Sequence, residues 1–119
     1  EISLVTGKAL LPLVDLSAFA GSVVDVYVEL IQTDAGTRCA GITAASMALA
    51  DAGIPMKDLV SSVAVGRVGG KIVLDLSKEE EDYEAGATDI ATAFSTRTGQ
   101  VNLLQMDGEV SKEELKKAL

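Results

Sequence analysis

Two runs of β-branched residues that meet at a pair of glycines constrain this chain more than any other feature. Residues 60–68 (VSSVAVGRV) and 71–76 (KIVLDL) bracket Gly69-Gly70. Val and Ile fit a pleated, half-buried surface, and paired glycines accept the positive φ of a tight hairpin turn. Residues 89–95 and 100–106 repeat the arrangement around Thr96-Arg-Thr-Gly99. Four strands in two hairpins are therefore expected. A further half-buried strand is expected at 23–31 (VVDVYVELI), where Val24, Val26, Val28 and Leu30 alternate with Asp25, Tyr27 and Glu29.

Helices are expected between and around these strands. Residues 2–14 carry a weak helical period through Leu4, Val5 and Leu11, interrupted by Gly7 and Pro12. Over 38–52, Ile42, Ala45 and Leu49 form one stripe, with Ser46 as a polar member. Gly53 then suits a helix C-terminus, and Pro55 blocks continuation. Ser111 and Glu114 have capping-box spacing, with Val110 and Leu115 placed as a hydrophobic staple. The acidic stretch 78–88 is expected to be a loop. The order is helix, strand, helix, four strands, helix. It predicts an α+β fold, an antiparallel or mixed sheet with helices on one face.

The 119 residues suit one domain, read here as spanning 1–119. Aromatic residues are only 3%, so the core must be aliphatic. Histidine is absent, which removes Ser-His, Cys-His and His-metal chemistry. The single cysteine, Cys39, cannot form an internal disulfide and fits a reducing, cytoplasmic setting. No apolar run approaches the roughly 20 residues of a membrane span, and no leader-like segment is visible. The formal net charge of −8 is opposite in sign to that of a free-standing nucleic-acid binder.

Two regions could carry chemistry. Asp34-Ala-Gly-Thr-Arg38 lies between an expected strand and an expected helix. A helix N-terminus has unpaired N–H groups and a partial positive charge. Gly36 permits close backbone approach, Thr37 offers a hydroxyl, and Arg38 offers a fork that matches phosphate oxygens. The competing assignment makes Thr37 an N-cap, gives Gly36 to the turn and leaves Arg38 solvated. The second region, Asp75 to Asp89, holds seven carboxylates against Lys78 and so carries −6 of the chain's −8. Carboxylates so clustered can hold Mg²⁺ or supply a general acid, or can simply keep a loop soluble. Asp82 and Asp89 are the better candidates, because Asp89 opens an expected strand.

Cys39 lies beside Arg38 at an expected helix start, a setting that lowers thiol pKa, yet it also suits a packed small hydrophobe. Met47, Met56 and Met106 read as core fillers. Arg67 and Arg97, at or near turns, could touch RNA or a partner, with surface solvation as the alternative.

Asp34-Ala-Gly-Thr-Arg38, Ala40-Gly-Ile-Thr-Ala-Ala-Ser46 and Ala48-Leu-Ala-Asp-Ala-Gly-Ile-Pro-Met56 closely resemble the RNase PH family. The nearest match is the branch of that family found in the archaeal exosome. Val73-Leu-Asp-Leu76 and Leu103-Leu-Gln-Met-Asp-Gly108 match the same branch. The resemblance covers the second half of the family's domain, without its first strands and most of its C-terminal helix. It implies an RNase PH-like, two-layer βαβ-type fold. It also implies phosphorolysis of RNA from the 3′ end, in which inorganic phosphate is the co-substrate and nucleoside diphosphates are released.

By the same resemblance, Gly36, Thr37 and Arg38 bind phosphate. Asp82 and Asp89 form the catalytic acid pair, with Mg²⁺ as a further ligand. The family spaces that pair six residues apart and places Pro two residues after the second; here the spacing is seven and Ala91 stands in that place. The other cations of the site, beyond three arginines, would come from the missing half and from RNase PH-like subunits in a ring. The chain alone is expected to be inactive. The rival expectation is a non-catalytic or engineered fragment of this fold that acts as an oligomerisation module, through apolar surface the missing strands leave open.

Overall fold

The computed structural model describes residues 2–15, 21, 23–81 and 86–119. Its elements are α1 (Ile2–Leu10), α2 (Thr37–Asp51), β1 (Val60–Val68), β2 (Lys71–Leu74), α3 (Lys78–Glu81), β3 (Ala87–Ser95), β4 (Val101–Asp107) and α4 (Lys112–Ala118). The strands form one antiparallel sheet in the order β2-β1-β3-β4. Gly69 and Gly70, at φ 56° and 82°, close the first hairpin as their spacing predicts. β2 stops at Leu74, short of the expected Leu76, because Asp75 turns into the left-handed region at φ 56°.

Side-chain alternation divides the sheet into two faces. Val60 and Ala64 of β1, with Ala91 and Ala93 of β3, lie under α2. Ile42, Ala45 and Leu49, the expected stripe, are buried against α1 and Val60. Complete burial of one such aliphatic side chain contributes about 1.5–3 kcal/mol. Ser46 is also fully buried, and its Oγ accepts a 2.9 Å hydrogen bond from the Val60 N–H. Thr43 Oγ1 accepts likewise from the Ser62 N–H at 3.1 Å. These two hydroxyls fix the position of α2 along β1, which explains the polar member of the stripe.

Several expectations are corrected. Residues 23–31 form no strand and join no ladder among the described residues. The alternation itself is real, since Val24, Val26, Val28 and Leu30 line one apolar groove with Leu10 and Leu49. Periodicity reports which side a residue faces, not whether a neighbouring strand is supplied. The expected acidic loop begins instead with the single-turn helix α3. There the Ser77 N–H donates to Glu80 Oε2 at 2.8 Å, and Ser77 Oγ accepts from the Glu80 N–H at 3.2 Å. Met47 and Met106 are exposed, and of the three methionines only Met56 packs against the core. The helices do not all share one face. Arg67 and Thr88 point away from α2, and both reach residues at or just before α4.

Gly66 has no room for a side chain. A Cβ there would lie 2.1 Å from Leu76 Cδ1 and 2.5 Å from the Thr88 carbonyl oxygen. The second contact is backbone and cannot yield by a rotamer change. Gly66→Ala is expected to cost about 2–3 kcal/mol, read as a lower urea midpoint at unchanged slope. A change below about 0.5 kcal/mol would contradict this packing.

Candidate anion site at the start of helix α2

The turn into α2 is built from two left-handed residues, Ala35 at φ 60° and Gly36 at φ 64°. Glycine adopts this conformation freely, but alanine does so at a cost of about 1–3 kcal/mol. Asp34 helps hold the turn, because its Oδ1 accepts a 2.9 Å hydrogen bond from the Lys78 N–H at the start of α3. Gly36 is the N-cap, and no side chain caps the helix. Thr37 is thus the first helical residue and not the cap that the competing assignment makes it. The first-turn N–H groups of this 15-residue helix have no capping side chain, and the Asp75 carboxylate lies beside the turn, its Oδ1 3.6 Å from where a Gly36 Cβ would stand.

Arg38 and Asp89, far apart in sequence, meet at this point. The guanidinium Nη2 of Arg38 donates to Asp89 Oδ2, with side-chain exposures of 22% and 15%. Asp89 is the third residue of β3, and its side chain lies on the face that α2 covers. Its ladder neighbours are Gly66 on β1 and Asp107 on β4. The structure therefore brings Gly36, Thr37, Arg38 and Asp89 into one place. Asp82 lies outside the described residues. Asp107, one residue past the strand expected at 100–106, is in register with Asp89 on the same face.

The other two arginines are placed elsewhere. Arg67 Nε lies 2.8 Å from Glu114 Oε1, on the opposite face from α2. Arg97 lies in the turn after β3, whose last residue, Ser95, is six residues or roughly 20 Å of strand beyond Asp89. Its N–H donates to Asp58 Oδ2 at 2.9 Å, and Thr96 Oγ1 donates to Asp58 Oδ1 at 2.9 Å. That carboxylate ties the second hairpin turn to the start of β1. For a divalent cation the described residues offer no group of three or more carboxylate or thiol ligands, and the carboxylate of Asp89 is engaged by Arg38. They do not by themselves make a metal cage.

Cys39 is 6% exposed, packed with Ala64 and Ala91. Burial pushes its thiol pKa up, against the smaller opposing effects of Ser62 and Arg38. The packed reading of Cys39 is the one its surroundings support. Glu114 is held below the usual carboxylate range, first by the hydrogen bond from the Ser111 N–H, then by the Ser111 side chain and Arg67. The capping box expected at Ser111 is present in full. Among the described residues, no helix is long and apolar enough to cross a membrane.

Comparison with known proteins matches the chain to two profiles of one family. The profile of the 3′ exoribonuclease family, domain 1, matches residues 1–55, and that of domain 2 matches residues 58–119. The exosome complex component Rrp41 of Thermococcus gammatolerans is 52% identical over 119 residues, all of this chain and 47% of that protein. The protein of the same name from Thermoplasma acidophilum is 50% identical with the same coverage. The chain thus spans about half the length of the curated relatives it matches. The crystal structure of rice (Oryza sativa) Rrp46 superposes with a TM-score of 0.62 at 25% identity, covering 73% of this chain and 41% of that one.

Two outcomes follow from these placements. Cys39 should react with a thiol reagent at pH 7 at least about tenfold more slowly in the folded chain than in urea. Equal rates would contradict its burial. Because the folded-state value of Glu114 is depressed, its contribution to α4 is complete above the ordinary value of 4.5 and is lost as pH falls through the lower folded value. Amide NMR should show α4 fraying in that window, and Glu114→Gln should remove the pH dependence.

Proposed function

The chain belongs to the 3′ exoribonuclease family, the RNase PH family, and on that premise we propose that it forms part of a phosphorolytic 3′-to-5′ exoribonuclease subunit. One observation carries the reading. An uncapped helix N-terminus, an arginine and a carboxylate from a different element converge, in a chain that matches both domains of the family. Inorganic phosphate would be cradled by the Gly36 and Thr37 backbone and by the Arg38 guanidinium. One of its oxygens attacks the phosphorus of the last phosphodiester. The bond to the 3′ oxygen breaks, that oxygen takes a proton from a carboxylic acid, and a nucleoside diphosphate leaves. Asp82 is proposed for the acid and Asp89 for the second carboxylate.

Phosphate and an RNA backbone are both anionic, and this chain has three arginines and a net charge of −8. Arg67 is engaged by Glu114, and Arg97 lies at the far end of β3. The reading therefore takes the remaining cations from the rest of the protein and from RNase PH-like neighbours in a ring, where RNA 3′ ends are held. It carries a cytoplasmic location, in keeping with a free thiol at Cys39. A second reading, a non-catalytic interaction module of the same fold, is favoured by the unpaired segment at 23–31 with its open apolar groove.

The test is Arg38→Ala in the complete assembly, assayed with 3′-hydroxyl RNA in the presence and absence of phosphate. Loss of one anion-stabilising group of this kind costs about a hundredfold or more in turnover, so phosphate-dependent release should fall by that order. Release within twofold of wild type would remove Arg38 from the site. Phosphate-independent RNA capture in the wild type, with no diphosphate formed, would favour the second reading.

A further inference from the structure

Arg38 offers one positive charge, and in this structure it faces Asp89. A guanidinium in contact with a carboxylate presents little net charge to a third group. An anion arriving at the start of α2 meets the helix dipole, but it also meets a carboxylate bound to the cation it needs. Around Asp89 the sheet supplies no substitute for Arg38. Gly66, paired with it on β1, has no side chain, and Asp107, paired with it on β4, repels it.

We propose that Asp89 is a positioning residue that competes with inorganic phosphate for Arg38. It holds the guanidinium over β3 until the anion draws the fork toward the N–H groups of α2. Asp89 thereby sets the affinity of the anion site and is released from its ion pair as phosphate binds. This inference rests on the reading of the α2 N-terminus as the phosphate site, and it assigns to Asp89 an action through Arg38 that the role of second carboxylate does not contain.

The geometry favours competition over simple support. Arg38 sits in the first turn of α2, close to the uncapped N–H groups, while Asp89 is anchored on a strand bonded on both sides. The side chain that can move between partners is the long one on the helix. A phosphate near enough to take a bidentate hold on Arg38 would lie within a few ångströms of Asp89, where like charges repel.

The test is calorimetric titration of the full chain with inorganic phosphate at low, fixed ionic strength. Asp89→Asn keeps shape and removes charge. It is expected to bind phosphate about tenfold more tightly than wild type. Equal or weaker binding by a folded Asp89→Asn chain overturns the competition, because a carboxylate that merely steadied Arg38 would lower affinity when removed. Should that variant fail to fold, the wild-type chain still decides the matter by NMR. The Arg38 Nε and Asp89 Cγ resonances should shift together with one midpoint as phosphate is added, and an Arg38 shift without an Asp89 shift overturns the proposal. If neither protein binds phosphate and Arg38 does not respond, the anion-site reading itself fails. Binding with equal affinity to both proteins ends the competition alone.

Discussion

The close seat of α2 on the sheet governs the rest of this structure. The helix approaches β1 and β3 over Ala64, Ala91 and Ala93, with Cys39, Ala45 and Ser46 among the residues it buries. Bulky side chains at these positions would lift the helix and carry its N-terminus off the strand ends. Small ones let backbone and hydroxyl groups meet, as at Ser46–Val60 and Thr43–Ser62. Dispersion contacts and two buried hydrogen bonds then fix the helix in register. Because α2 is fixed at that height, Arg38 reaches Asp89.

The same seat explains why the site is charged where the chain is otherwise acidic. The end of the sheet near Asp89 gathers Asp89, Asp107 and the start of the acidic run after β2. The helix brings one arginine and the positive end of its dipole to that edge. Elsewhere the cations hold structure. Arg67 is drawn to Glu114, whose two carboxylate oxygens are divided between the α4 capping box and the ion pair. The Arg97 backbone is fastened by Asp58.

Much of this was legible in the sequence, for identifiable reasons. The two hairpins follow from β-branched runs around Gly69-Gly70 and Thr96–Gly99, where local turn chemistry and strand propensity agree. The helix at 37–51 follows from a stripe whose polar member turned out to be a hydrogen-bond acceptor. What escaped was non-local. The alternation at 23–31 reports one apolar side, but strand pairing depends on a neighbour the pattern cannot reveal. The first turn of α3 was hidden because acidic residues read as solvent-facing loop, although Ser77 and Glu80 have the capping-box spacing. Gly36, Thr37 and Arg38 could be found as an anion turn from residue type alone. Their junction with Asp89, 51 residues from Arg38, depends on the β1–β3 register, and the presence of Asp107 beside it depends on the β3–β4 register.

On the proposed function, this turn holds the phosphate that attacks RNA. The most direct measurement supplies ¹⁸O-labelled inorganic phosphate to the complete assembly with 3′-hydroxyl RNA and weighs the products. Nucleoside diphosphates whose terminal phosphate carries the label are the expected products. Nucleoside monophosphates carrying only solvent oxygen would contradict that function, because water and not phosphate would then be the nucleophile.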